Sequence, residues 1–217
     1  GDDEEGKHFE RQTQCLAIGD GVDYEKSDVN PIIGADMLPD GASKVDFRDP
    51  KIWKDENTFY VIVGNRNEDG SGQLLLYSSE DLKQWKYCGV VDKCENRYGK
   101  MWECPDMFPL EGKYVILTSP QDMCAEGLEF HSGNGTLCLI GDFDKEQVKF
   151  ERETESAIDY GLDFYASQTT ETKDGRRIMI AWMQSWDNYN TPGEFRWSGQ
   201  MTVPRELHIK NGRLYQL

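Results

Sequence analysis

Basic residues are scarce in this 217-residue chain: 24 Lys and Arg stand against 40 Asp and Glu, a formal net charge of −16. Such a charge repels phosphate backbones and anionic headgroups, so neither nucleic acid nor a membrane surface is an expected partner. Long apolar runs are missing too, and none approaches the roughly 20 residues that a spanning helix needs. Histidine is rare: His8, His131 and His208 are scattered, with no Cys-x-x-Cys pair, so neither a metal site nor any other cofactor is expected. Six cysteines are too few for a disulfide-stapled mini-domain. They read as the reduced thiols of a cytoplasmic protein, with secretion as the alternative. The Asn134-Gly135-Thr136 sequon is a triplet of a kind that recurs by chance. No signal peptide opens the chain, which starts Gly1-Asp2-Asp3-Glu4-Glu5 without a methionine. A processed start, or a piece of a longer protein, is the expectation.

Six tryptophans, ten tyrosines and nine phenylalanines are enough to bury a core, which argues against disorder despite the acidity. Helical periodicity is nearly absent. Short β-rich runs recur instead, at Thr13 to Ile18, Phe59 to Gly64, Gln73 to Ser78, Lys113 to Thr118, Thr136 to Ile140, Arg177 to Met183 and Gly199 to Val203. Turn residues that tolerate positive φ separate them: Asn67-Glu68-Asp69-Gly70, Glu111-Gly112, Asp174-Gly175 and Asn211-Gly212. The fold class is all-β.

The strands also repeat at a longer period. One unit opens Phe47-Arg48-Asp49-Pro50, a second Trp102-Glu103-Cys104-Pro105, a third Leu162-Asp163-Phe164-Tyr165-Ala166. Each continues as strand, turn, strand, loop, strand. Asp49 and Glu103 are 54 residues apart, Glu103 and Asp163 are 60. Four antiparallel strands at this spacing describe the blades of a β-propeller, with a β-sandwich as the second choice. Gln12 to Lys26 matches only the back half of a unit. About three and a half blades are therefore expected, fewer than a propeller needs to close.

The first strand of each blade lines the central channel, so carboxylates distant in sequence can face one another there. Cleavage of a glycosidic bond needs two such groups: one protonates the leaving oxygen, the other attacks or stabilises an oxocarbenium-like centre. Asp49, Glu103 and Asp163 are the candidates.

These residues carry a family resemblance. Phe47-Arg48-Asp49-Pro50 resembles the Arg-Asp-Pro motif of glycoside hydrolase family 32, and Trp102-Glu103-Cys104-Pro105 its Glu-Cys motif. Asp163 to Thr169 and Trp197 to Leu207 resemble two further stretches of that family, in the same order. The likeness runs from about Gln12 to the end. It implies a five-bladed β-propeller followed by a β-sandwich domain, and cleavage of β-fructosidic bonds in sucrose, sucrose phosphate or fructans. Glu103 would be the general acid/base and Asp49 the stabiliser of the transition state. Arg48 would bond the sugar, Cys104 would support Glu103, and Asp163, Tyr165, Trp182, Trp186 and Trp197 would wall the substrate pocket.

One departure stands out. The family's nucleophile lies in an Asn-Asp-Pro-Asn-Gly stretch, and the closest string here, Val29-Asn30-Pro31, lacks the aspartate. Residues 1–217 are therefore expected to be part of a propeller domain, with the first blade and the sandwich outside them, and to be inactive alone. Another propeller glycosidase such as an arabinanase, a fructosyltransferase, or a carbohydrate-binding propeller without hydrolysis are the alternatives.

Overall fold

A computed structural model describes residues 6, 8–188, 193–194 and 196–217. Three antiparallel four-stranded sheets follow one another along the chain. The first holds β3 (Ala42–Asp55), β4 (Thr58–Asn67), β5 (Gly72–Ser79) and β6 (Lys86–Lys93), after a two-stranded ribbon of β1 (Ala17–Gly19) and β2 (Tyr24–Lys26). The second holds β7 (Met101–Leu110), β8 (Lys113–Gln121), β9 (Leu137–Asp144) and β10 (Lys149–Ser156). The third holds β11 (Tyr165–Glu171), β12 (Arg177–Trp182), β13 (Arg205–Lys210) and β14 (Arg213–Gln216). The only helical piece among the described residues is a 3-10 turn, Ala35–Met37. Strands are ordered within each sheet as they are in sequence. The inner strands β3, β7 and β11 neighbour one another, as do the outer strands β6, β10 and β14. This is the radial arrangement of propeller blades, three of them complete.

The apolar runs of the sequence are continuous because the blades are buried on both faces. Along β4 and β5, Ile62, Leu74 and Leu76 point one way into a cluster with Trp102, Met107, Ile116 and Leu139 of the second blade. Val61, Val63, Leu75 and Tyr77 point the other way and pack with Ile33 and Phe47. Between the second and third blades Phe108, Val115, Leu117, Phe164, Met179 and Leu207 do the same. Period-two alternation thus sorts side chains between two cores rather than between core and water.

The turns behave as their residues dictate. Asn211 and Gly212 both take positive φ, at 53° and 71°, as the tight hairpin between β13 and β14 requires. Two expected strands differ. The run Thr13 to Ile18 is strand only from Ala17, because Gln14 bridges Ile33 instead. The run Gly199 to Val203 contributes a single bridge, Met201 to Trp182, and the strand proper begins at Arg205. Pro204 has no N–H for the ladder, and the Thr202 hydroxyl accepts the Ala181 N–H, so regular pairing lapses between them. The sequon threonine is committed as well: Thr136 Oγ1 accepts the Ile158 N–H.

His208 on β13 ties the second and third blades at their rim. Its Nδ1 lies 2.8 Å from Glu111 Oε1 and its Nε2 3.1 Å from Glu206 Oε1. The Glu111 carboxylate holds the imidazole above its ordinary 6.5, against desolvation. Glu111 is held below its ordinary 4.5, first by the Ile209 N–H and then by His208. A raised histidine contributes fully below its unfolded value and loses that contribution as pH rises through the folded one. A lowered carboxylate contributes above its unfolded value and fails only as pH falls through the folded one. His208→Gln is therefore expected to lower Tm at about pH 6 and to match the parent by about pH 9. A gap that stays constant across that range in thermal melts would contradict a role for the charge.

Candidate active site

Each inner strand carries a bulge at the same place. Pairing with the next strand holds up to Arg48–Gly64, Glu103–Ser119 and Tyr165–Trp182, then resumes at Lys51–Ile62, Asp106–Leu117 and Gln168–Ile180. Two residues therefore oppose one in every case. The first of the two is left-handed in all three blades: Asp49 at φ 62°, Cys104 at 50° and Ala166 at 53°. None is glycine, so each carries strain that the surroundings must hold. Immediately before each bulge pair stand a buried aromatic and a polar side chain, Phe47-Arg48, Trp102-Glu103 and Phe164-Tyr165.

The structural repeat thus puts Arg48, Glu103 and Tyr165 in register, not Asp49, Glu103 and Asp163. These three meet. Arg48 Nε donates to Glu103 Oε1 at 2.8 Å, and Tyr165 Oη donates to Glu103 Oε2 at 2.6 Å. Glu103 is 8 % exposed. Arg48 also donates to Gln12, Asp46 and Gln121 at 3.0, 2.9 and 3.3 Å. Four of the five guanidinium N–H groups are therefore engaged by protein, leaving one for a ligand. Burial pulls the Arg48 guanidinium down, and its bonds to Asp46 and Glu103 more than reverse this, so it stays a cation.

Tyr165 is not a pocket wall. It is buried and holds the Glu103 carboxylate, and its hydroxyl has a second acceptor, the Ser119 carbonyl, at 3.0 Å. Burial first, and Glu103 second, push the phenol well above its ordinary value, so it keeps its proton. With Glu103 ionised, that proton goes to Oε2. With Glu103 protonated, the carboxyl donates to the phenol oxygen and the phenol to Ser119. Either charge state is accommodated without an unpaired group.

Cys104 faces Asp49 rather than Glu103. Asp49 Oδ2 accepts the Cys104 N–H at 3.0 Å, with the thiol 3.5 Å away. Burial, then Asp49, drive that thiol far up, so it is neutral and no nucleophile. Asp163 lies apart. It is exposed in the loop before β11, bonded by Asn188 at 2.7 Å, beside a hollow of about 460 Å³ that includes His131, Ser185 and Asp187. Trp182 pairs with Tyr165 across the ladder and meets Trp186 edge-on at 5.2 Å. Trp186 and Trp197 are 57 % and 54 % exposed. Among the described residues no cluster of three or more His, Cys, Asp or Glu is placed to hold a metal ion.

Sequence reading passed over Gln12, Asp46, Ser119 and Gln121, whose isolated polar side chains carry no motif. It also passed over Lys51, Asp106 and Gln168, which did leave a signal: each stands three residues after the member of the Arg48, Glu103 and Tyr165 cluster in its own blade.

Known proteins agree with this architecture. The Glycosyl hydrolases family 32 N-terminal domain matches residues 1–217. Sucrose-6-phosphate hydrolase of Bacillus subtilis is 37 % identical over 213 residues, covering 94 % of this chain and 43 % of its own length. A Bombyx mori GH32 beta-fructofuranosidase superposes with a TM-score of 0.89 at 36 % identity, over 100 % of this chain and 45 % of that one. Sucrose-6-phosphate hydrolase of Lactobacillus gasseri superposes at 0.82 with 28 % identity, over 99 % and 43 %. The chain thus spans less than half the length of the relatives it matches. With the sequence motifs, the blades and these likenesses in agreement, the chain belongs to glycosyl hydrolase family 32, within the family's N-terminal domain.

Proposed function

We propose that the protein carrying these residues cleaves β-fructosidic bonds, in sucrose, sucrose phosphate or a fructan, by a retaining double displacement. The observation that carries this reading is Glu103, buried where three blades converge and held on one oxygen by a cation and on the other by a phenol. A similar protein, a variant of the Bombyx mori beta-fructofuranosidase, is solved in complex with sucrose. In the first step Glu103 protonates the departing glycosidic oxygen while a carboxylate attacks the anomeric carbon. In the second, Glu103 takes a proton from water, which then displaces the carboxylate. No Asn-Asp-Pro stretch occurs in the 217 residues, and the attacking carboxylate is assigned to a residue outside them. Asp49 Oδ2 is taken by Cys104, which fixes the rotamer and aims Oδ1 at fructosyl hydroxyls. Its charge, with the remaining Arg48 N–H, stabilises the oxocarbenium-like transition state.

The stereochemistry tests the reading. Sucrose turned over in water with methanol is expected to yield fructose and methyl β-fructofuranoside, followed by NMR. The α-anomer as first product would rule out double displacement. No fructose from sucrose, sucrose 6-phosphate or inulin would rule out the substrate class and leave a binding propeller.

A further inference from the structure

Three residues below the catalytic position, the ladder is polar again in every blade. Lys51, Asp106 and Gln168 are the first residues to regain register after the three bulges. They form one connected cluster. Asp106, 1 % exposed, accepts the Thr169 N–H at 2.6 Å through Oδ2, and the same oxygen stands 3.2 Å from Lys51 Nζ. The Lys51 ammonium donates to Gln168 Oε1 at 3.0 Å and to the Thr169 carbonyl at 2.8 Å. Gln168 Nε2 in turn donates to the Cys104 carbonyl at 3.2 Å, inside the bulge that follows Glu103. The contacts cross the channel, joining β3 to β11 although β7 lies between them.

Stability alone is a poor reason for this cluster. Burying an ammonium–carboxylate pair costs desolvation, and well-packed apolar residues of equal size often serve as well or better. What the cluster adds is direction: Lys51 on β3 and Asp106 on β7 both grip the Thr169 backbone of β11, and Gln168 of β11 returns a bond to the Cys104 carbonyl of β7. The bulges above are strained, left-handed and non-glycine, so their geometry needs a hold from outside. We infer that Lys51, Asp106 and Gln168 are positioning residues, locking the three inner strands at the height where Arg48, Glu103 and Tyr165 meet. The inference rests on the fructosidase reading and adds residues that touch no substrate.

The test uses the full-length enzyme and sucrose. Lys51→Met leaves the Asp106 carboxylate buried without its cation, and both Tm and kcat are expected to fall. Adding Asp106→Asn removes the stranded charge. Tm is then expected to return to within about 3 °C of the parent. The kcat is expected to stay about tenfold to a hundredfold down with KM within about twofold, the mark of a misplaced acid rather than a lost binding contact. The acid and base limbs of the pH–rate profile should move as well, because the partners of Glu103 have moved. A merely structural pair predicts the opposite: kcat and the profile recover together with Tm, and that result overturns the inference. Gln168→Leu, at a half-buried position, decides the matter even if the charged-pair variants do not fold. A several-fold loss of kcat with a displaced profile supports the lock, and parental kinetics overturn it. Wild-type enzyme inert towards every fructoside would instead overturn the functional reading, so the two failures are distinguishable.

Discussion

Glu103→Gln in the full-length enzyme is expected to lower kcat on sucrose by about 10²–10⁴-fold while sugar binding stays near parental, since general acid–base catalysis contributes on that order. The amide keeps the shape and can still meet Arg48 or Tyr165 through its oxygen, but it has no proton to give. The loss should depend on the leaving group. Fructosyl fluoride departs without protonation, so its first step should be largely spared, and added azide should restore part of the second by attacking without base assistance. Undiminished sucrose turnover by Glu103→Gln would falsify the acid/base assignment. Equal losses on sucrose and fluoride would point instead to a collapsed site. Tyr165→Phe provides the internal comparison. It deletes one hydrogen bond to a charged group, a contact worth about 1.5–3 kcal/mol, so a loss of roughly ten- to a hundredfold is expected, with Glu103 still in place.

Trp102→Ala is expected to cost about 3–5 kcal/mol of folding stability, read from urea denaturation of the full-length protein. Trp102 has no exposed surface, lies in the cluster between the first two blades, and donates from Nε1 to the Tyr98 carbonyl at 2.7 Å. Truncation leaves a large void and strands that carbonyl. The first blade is shaped around this residue. A methyl group at Gly64 would sit 2.1 Å from the Trp102 carbonyl oxygen, and one at Gly72 2.5 Å from the indole Cδ1. Neither position can collapse into the void without moving backbone, so little of the loss can be recovered by relaxation. A cost below about 1 kcal/mol would mean that the blades do not depend on this contact.

The blades were legible from sequence because two signals coincide. Apolar runs such as Phe59 to Gly64 and Gln73 to Ser78 announce strands buried on both faces, and Asn-Gly or Asp-Gly pairs announce where they turn. The family's motifs were legible as well, and Arg48, Asp49, Glu103 and Cys104 are indeed neighbours. What misled was the alignment of units by carboxylate. A bulge displaces side chains by one place, so Asp49 corresponds to Cys104 and Ala166, while Arg48 corresponds to Glu103 and Tyr165. No propensity scale reports a left-handed aspartate or cysteine in a strand. Asp163 was drawn into the site by its place at the start of a repeat unit and by the motif around it, two residues short of the position that meets Glu103. Tyr165 was given to the sugar because aromatics stack on sugars; only its burial and its distance to Glu103 reveal an anchor for that carboxylate.

The pairs Phe47-Arg48, Trp102-Glu103 and Phe164-Tyr165 have a consequence for how such a site can change over time. Neighbouring residues on a strand point to opposite sides, so each blade separates its commitments by a single peptide bond: one side chain belongs to the core, the next to the polar cluster around Glu103. A mutation at Arg48, Glu103 or Tyr165 alters that cluster and leaves the aromatic peg beside it seated. Three blades offer a cation, a carboxylate and a phenol at one shared backbone address, bound to one another through Glu103, so an exchange is answered by its two neighbours at the axis and not by the walls. Inventiveness at the axis and conservatism in the walls are then properties of one repeat, set one residue apart.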